Sequence, residues 1–229
     1  MTEQSAPSVM VFAAHPDDPE FGAGGTIARW IAEGSEVRYV LCTSGDKGSW
    51  DPNLMPGQMV TVREGEQRAA AAELGVAECI FLHHVDGELE PSLAFRRELA
   101  HLLRQYRPLR VVTHDPWLHY QIHPDHRAVG TAVMDAVAGA RDIWYFPEQL
   151  AHGVTPQRVK ELYFFRAQDP NYWVDISETF ERKLAALRCH ASQVNRTPDL
   201  QARMRRVAAE AGQAKGLALA EAFYRLDLP

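Results

Sequence analysis

Cysteine is scarce in this 229-residue chain: Cys42, Cys79 and Cys189 are odd in number, widely scattered and form no C-x-x-C pair. That spacing argues against a disulfide framework and against a cysteine zinc site, and reduced thiols are expected. Long apolar runs are missing too. No segment approaches the ~18 apolar residues of a membrane span, and the N-terminal "MTEQSAPS" is polar with no signal-peptide core behind it. A cytoplasmic protein with no membrane partner is the expectation. Positive charge is in deficit: a formal net charge of -6 offers no basic field to a phosphate backbone, so nucleic acid is not an expected partner. Arg203, Arg205 and Arg206 cluster locally, but Glu210 follows one turn later, as on a solvated helix face. Internal repeats and low-complexity stretches are absent, as are the G-x-S-x-G, H-E-x-x-H and P-loop motifs, which leaves serine-hydrolase, HExxH-protease and P-loop NTPase readings without support.

What is present is a globular composition, 46% apolar and 24% charged, and a regular alternation of short β-type runs with amphipathic stretches. Val9 to Ala14 is a near-continuous apolar strand, and Thr26 to Glu33 reads as the helix after it, stopped by Gly34. "EVRYVLC" is a second strand ending at Thr43, "REGEQRAAAAELGV" a second helix, and "ECIFL" a third strand. "SLAFRRELAHLLRQY" is a helix with Leu93, Leu99, Leu102 and Leu103 on one side, and "RVVTHD" is the fourth strand. Beyond a helix from about Pro124 to Ala138, "ELYFFR" and "YWVDI" read as strands, and 176–191 and 198–226 as C-terminal helices. The rhythm predicts one α/β domain over residues 1–229, three layers with a mostly parallel sheet and helices on both faces. Ligands then belong at the carboxyl ends of the strands.

The chemically able residues gather at those ends. His15, Pro16, Asp17 and Asp18 follow strand one, "TSGDKG" follows strand two, Asp86 lies after strand three, and His114 and Asp115 follow strand four. "HPDHRAVG" places His123 and His126 at the first turn of the next helix. A catalytic metal site needs about three His or carboxylate ligands and one open position. His15 and Asp18 are spaced to turn toward one point across Pro16, while Asp17 diverges and is left free beside it. One histidine of the "HPDH" pair completes a two-His, one-Asp site, with Asp125 pointing elsewhere. "GAGGT" is read as tight turning and close helix packing after the metal loop.

These segments resemble the LmbE-like, or PIG-L, family of zinc-dependent N-acetylglucosaminyl deacetylases. "AHPDDPEFGAGGT", "TSGDKGS", "REGEQRAAAAELGV", "HPDHRAVG" and "VDISETFERKLAALRCHASQ" stand in the family's order. The resemblance implies a Rossmann-like α/β fold and zinc bound by His15, Asp18 and His126, with iron(II) as the alternative metal in the cell. It implies Asp17 as general base, His123 as the charged partner of the reacting carbonyl, and Asp125 as the group that orients His123. Arg63 and Asp86 would meet the substrate, a small amino sugar or its conjugate, and the assembly would be a homo-oligomer, a trimer or hexamer. Some members carry a tyrosine two residues before the first HPDH histidine; here that position is Gln121, with Tyr120 one earlier. Trp50, Trp117 and Tyr120 fall in loops at the rim, where they could stack on a sugar, and His190 of "HASQ" reads as structural or pocket-lining.

Two other readings are weaker. Gly22 and Gly24 begin a G-x-G-x-x-G pattern, but Ile27 holds the third glycine's place and strand two ends without a ribose-binding acid. A non-haem iron oxygenase could use two histidines and a carboxylate but leaves Asp17 without a role. The rival from another class is a non-catalytic sugar-binding protein that retains the metal site.

Overall fold

Strand β1 (Val9–Ala13) alternates between two buried faces: Val9, Val11 and Ala13 enter one apolar cluster, Met10 and Phe12 the other. A period of two with both faces dry is the pattern of a central strand. The computed structural model describes residues 7–49, 51–151, 153–195 and 197–229. In chain order, β1 is followed by α1 (Asp18–Ala32), β2 (Val37–Thr43), α2 (Pro56–Leu74), β3 (Glu78–His84), α3 (Leu93–Tyr106), β4 (Arg110–His114) and α4 (Pro124–Arg141). Then come α5 (Pro147–Leu150), β5 (Glu161–Phe165), β6 (Tyr172–Asp175), α6 (Phe180–Cys189), α7 (Ala191–Val194), α8 (Leu200–Gln213) and β7 (Ala220–Asp227).

The strands form one seven-stranded sheet in the order β3-β2-β1-β4-β5-β7-β6. The pairs from β3 to β5 are parallel, and β7 is antiparallel to both its neighbours. One face packs against α1, α2, α6 and α8 through Ile27, Leu74, Leu184 and Met204. The other packs against α3 and α4 through Phe95, Leu99, Val129 and Val133. Strand order reverses between β1 and β4, so the crevice outside their carboxyl ends is the switch point of the sheet. Among the described residues, no helix is long and apolar enough to cross a membrane.

Three sequence expectations need correction. The helix after β1 begins at Asp18, not Thr26, so "GAGGT" lies inside α1 rather than in a turn. Its glycines let the helix sit close to the sheet and to the chain after β6: a Cβ at Gly22 would lie 2.5 Å from the Phe165 ring, and one at Gly25 2.8 Å from Ile176. The C-terminal helix stops at Gln213, Gly216 turns the chain with a left-handed φ of 66°, and residues 220–227 insert as a strand between β5 and β6. "AEAFYRLD" contains good helix formers, and two ladders of neighbouring strands override that weak local preference. Leu93, placed with the apolar side of α3, is exposed, and Leu99 and Leu103 carry the contact.

Phe165 also meets the His114 ring edge-on, with centroids 4.5 Å apart, so the glycine contact supports the functional rim. Gly22→Ala gains about 1 kcal/mol of helix propensity but overpacks, at a cost of ~1–3 kcal/mol. A lower urea midpoint is expected; an unchanged or higher one would show that Phe165 gives way freely.

Candidate active site

The site grows out of two neighbouring strand ends. β1 runs into Ala14 and His15, and Pro16 and Asp17 turn the chain into α1, whose first residue is Asp18. β4 ends at His114, and a loop leads to α4, which begins with His123 as N-cap, Pro124, Asp125 and His126. Ala14 donates its N–H to His114 Nε2 at 3.1 Å, which ties the two strand ends together. His15, Asp18, His114, Asp125 and His126 are all buried.

His15, Asp18 and His126 converge. His15 Nδ1 and His126 Nε2 are 3.3 Å apart, Asp18 Oδ1 is 3.3 Å from His126 Nε2, and Asp18 Oδ2 is 3.4 Å from His15 Nδ1. Ligands about 2.0–2.1 Å from a tetrahedral metal stand roughly 3.3 Å from one another, which is the separation of the two ring nitrogens, and each ring nitrogen has an Asp18 oxygen at a similar distance. His126 Nδ1 is buried without a partner. His114 packs against this set, its ring stacked on His126 at 4.2 Å and its Nε2 3.3 Å from Asp18. That nitrogen accepts from Ala14, so its lone pair is engaged and a neutral ring has no proton there to give Asp18. Burial pushes its pKa down to about 4. Asp18 lies well below the carboxylate range: burial raises it, and the His126 and His114 rings outweigh burial.

The far side of His15 corrects the expectation for Asp125. Asp125 Oδ2 lies 3.1 Å from His15 Nε2 and accepts the Gly87 N–H at 2.7 Å, while its Oδ1 accepts from Leu89. Asp125 therefore bonds the His15 ring and makes no hydrogen bond to His123, an arrangement that can orient an imidazole. Asp86 joins it, with Oδ1 3.0 Å from the same nitrogen and Oδ2 accepting from the Lys47 N–H. Expected to meet substrate, Asp86 is buried and committed to His15, although His123 Nε2 stands 4.0 Å away. Burial alone would lower the His15 pKa, but Asp125, Asp18 and Asp86 raise it well above the ordinary value. His123 shifts the other way, lowered by burial and by His15 and His126, so the environment favours a neutral ring over the imidazolium expected from sequence.

Asp17 stands beside His15 and Asp18. Its backbone has φ 89° and ψ -28°, left-handed for a residue with a Cβ, and such outliers concentrate at functional sites. Arg63, fully inside the protein rather than on the surface, donates to Asp17 Oδ2 at 3.1 Å and to the Pro16 carbonyl. Arg63 thus serves the candidate base, where sequence reading assigned it to substrate. The "TSGDKG" loop makes this geometry possible: a Cβ at Gly45 would fall 2.0 Å from the Arg63 guanidinium, and Gly45 has a φ of 64°. Burial pushes the Asp17 carboxyl up to about 6, against the pull of Arg63.

Sequence reasoning noted His114 but gave it no task, and it passed over Gln67 and Glu20, whose burial has no local signal. Gln67 accepts the Asp17 N–H at 3.0 Å and donates to Glu20 at 2.9 Å; Glu20 is bonded to His190 at 3.2 Å. Trp117 packs edge-on against Phe164 and is partly exposed, Tyr120 is 98% exposed, and Trp50 lies outside the described residues.

The profile of the PIG-L family, described as GlcNAc-PI de-N-acetylase, matches residues 10–137. The chain is 36% identical to the diacetylchitobiose deacetylase of Thermococcus kodakarensis over 81% of its length and 69% of that protein. It is 32% identical to the 1D-myo-inositol 2-acetamido-2-deoxy-alpha-D-glucopyranoside deacetylase of Saccharomonospora viridis, covering 81% of this chain and 85% of that one. The structure of N,N'-diacetylchitobiose deacetylase from Pyrococcus horikoshii superposes with a TM-score of 0.93 at 32% identity, over 98% of this chain and 85% of that one. With the profile covering both H-P-D segments and the similarity running through the sheet, the chain belongs to the PIG-L, or LmbE-like, family of deacetylases.

Proposed function

We propose that this protein is a zinc-dependent hydrolase that removes an acetyl group from an N-acetylglucosamine-type amino sugar or its conjugate. The observation that carries the reading is the convergence of His15 Nδ1, His126 Nε2 and the Asp18 carboxylate, whose two oxygens each lie 3.3–3.4 Å from one of the rings, with the Asp17 carboxylate, bonded to Arg63, beside them. Relatives named as deacetylases of diacetylchitobiose and of an inositol-linked 2-acetamido sugar supply the substrate class. His15, Asp18 and His126 would hold the cation. When bound there, zinc supplies Lewis acidity, lowering the pKa of a water from 15.7 to about 7 and polarising an acyl carbonyl.

The chain's own residues do the rest. Asp17, held by Arg63, takes a proton from the water that attacks the amide carbon and returns it to the departing nitrogen. His123, about two-fifths exposed at its side chain, presents Nε2 to the rim, where it donates to the oxyanion of the tetrahedral adduct. A neutral ring suffices for that donation. Asp125 and Asp86 fix the His15 tautomer so that Nδ1 faces Asp18 and His126. The alternative, a sugar-binding protein without turnover, has no observation in its favour. We also read residues 1–229 as one domain and the protein as cytoplasmic: one sheet carries the described strands, and all three cysteines are free thiols.

The test is acetate release from a panel of N-acetylglucosamine derivatives, diacetylchitobiose among them. Chelation is expected to abolish release and added zinc to restore it; full activity in metal-free protein would refute metal dependence. Asp17→Asn should lower kcat by at least ~100-fold while zinc stays bound at one per chain, as a lost general base requires. Asp125→Asn should weaken zinc binding by ~10–100-fold in competition with a chromophoric chelator, the usual effect of losing a carboxylate behind a ligating histidine. Unchanged zinc affinity in that variant would remove Asp125 from this role.

A further inference from the structure

Asp17 sits in a backbone conformation that side chains with a Cβ avoid, at a cost of about 1–3 kcal/mol, so its surroundings must hold it there. Part of the restraint is local: the Asp17 carbonyl accepts the Phe21 N–H at 3.0 Å, and Arg63 donates to the carbonyl of Pro16. The Asp17 N–H points away from the rim into the interior and donates to Gln67 Oε1 at 3.0 Å.

Gln67 is itself aimed. An amide offers an acceptor at one end and donors at the other. Its NH2 donates to Glu20 Oε1 at 2.9 Å, which leaves the amide oxygen facing the Asp17 N–H. Glu20 is held in turn by His190, whose Nε2 lies 3.2 Å from Oε2 and whose Nδ1 has no partner, which places the ring proton on Nε2. Gln67, Glu20 and His190 are all 0% exposed, so water cannot substitute for any member. The three come from α2, α1 and the α6–α7 junction, which makes the orientation of one N–H a product of three elements.

We propose that Gln67, aimed by Glu20 and His190, is a positioning residue that fixes the carboxylate of Asp17 through its main-chain N–H. The inference rests on the reading of Asp17 as general base. Losing the Gln67 contact frees the Asp17 peptide to leave its left-handed conformation, and its side chain swings away from the reacting atoms. Ligands His15, Asp18 and His126 keep their own hydrogen bonds, so metal and substrate binding are spared. The "HASQ" histidine acquires a task by the same argument, as the far anchor of this chain.

Two variants and two readouts test it. Gln67→Met keeps length and volume but neither hydrogen bond; the double variant Glu20→Gln/Gln67→Glu exchanges the two side-chain chemistries and preserves every link from His190 to Asp17. Gln67→Met should lower kcat ~10–100-fold, the scale of a misplaced catalytic group, with KM and zinc content within twofold of wild type. The double variant should recover kcat to within threefold of wild type. The second readout needs no activity. In metal-free protein, hydrogen exchange at the Asp17 amide should be protected in wild type and the double variant, and accelerated in Gln67→Met by at least ~100-fold relative to the Val11 amide of β1.

Wild-type kcat in Gln67→Met overturns the proposal, as does an Asp17 amide unprotected in wild type, or a folded double variant that stays as slow as Gln67→Met. If Gln67→Met does not fold, the double variant and the wild-type exchange rate still decide. A wild-type enzyme that releases no acetate from any sugar would instead refute the proposed function, while the exchange data judged the positioning separately.

Discussion

Four aspartates, Asp17, Asp18, Asp86 and Asp125, converge on one small rim, and three of them are buried. A buried carboxylate without a partner costs several kcal/mol, so this density of negative charge stands only if each group is matched. His15 is the piece that satisfies most of them at once: one ring nitrogen faces Asp86 and Asp125, the other faces Asp18 and His126. Its ring cannot turn without breaking contacts on both sides. Asp17 is matched separately, by Arg63, which leaves it outside the His15 cluster and available for the role of base proposed for it. The chemistry proposed for this site thus follows from how one imidazole and one guanidinium divide four negative charges.

The sheet brings these groups together because β1 and β4 are neighbours at the point where strand order reverses. Their loops leave in opposite directions and open a crevice, into which α1 and α4 both direct their first turns. β2 and β3 add the second layer: Gly45 makes room for Arg63, and the Asp86–Leu89 turn donates two N–H groups to Asp125. Behind the rim, the Gln67, Glu20 and His190 chain reaches Asp17 from the opposite face of the sheet to the one covered by α3 and α4. Each of these buried polar groups is therefore held by elements far from it in sequence.

Much of this was legible in the chain. Strand ends bearing His15 to Asp18 and His114 were recognisable because a parallel strand is an apolar run that stops abruptly, and the polar residues at the stop must lie at the sheet's edge. The H-P-D segments had a spacing that brings two side chains to one point within a single turn. Errors came where local signals compete with long-range ones. "GAGGT" reads in the sequence as tight turning and close packing; the packing is there, against Phe165 and Ile176, but the segment is helix within α1 and not a turn. "AEAFYRLD" looked helical because its residues favour helix, yet the gap between β5 and β6 made it a strand. The family resemblance paired Asp125 with His123, whereas the ring it bonds is that of His15, 110 residues away.

The sequence by itself determined the α/β alternation, the side of the sheet that carries chemistry and the residue types available there, because periodicity and strand ends are local properties of a chain. Its two H-P-D segments also carried the family. Only the tertiary structure decided which carboxylate serves which imidazole, that Arg63 turns inward to Asp17, and that Gln67 reaches the Asp17 main chain. Those pairings depend on the direction of each side chain after helices and strands have packed, and on which charges are left unmatched when water is excluded. No window of sequence contains that information, since the partners are brought together by the closing of the sheet.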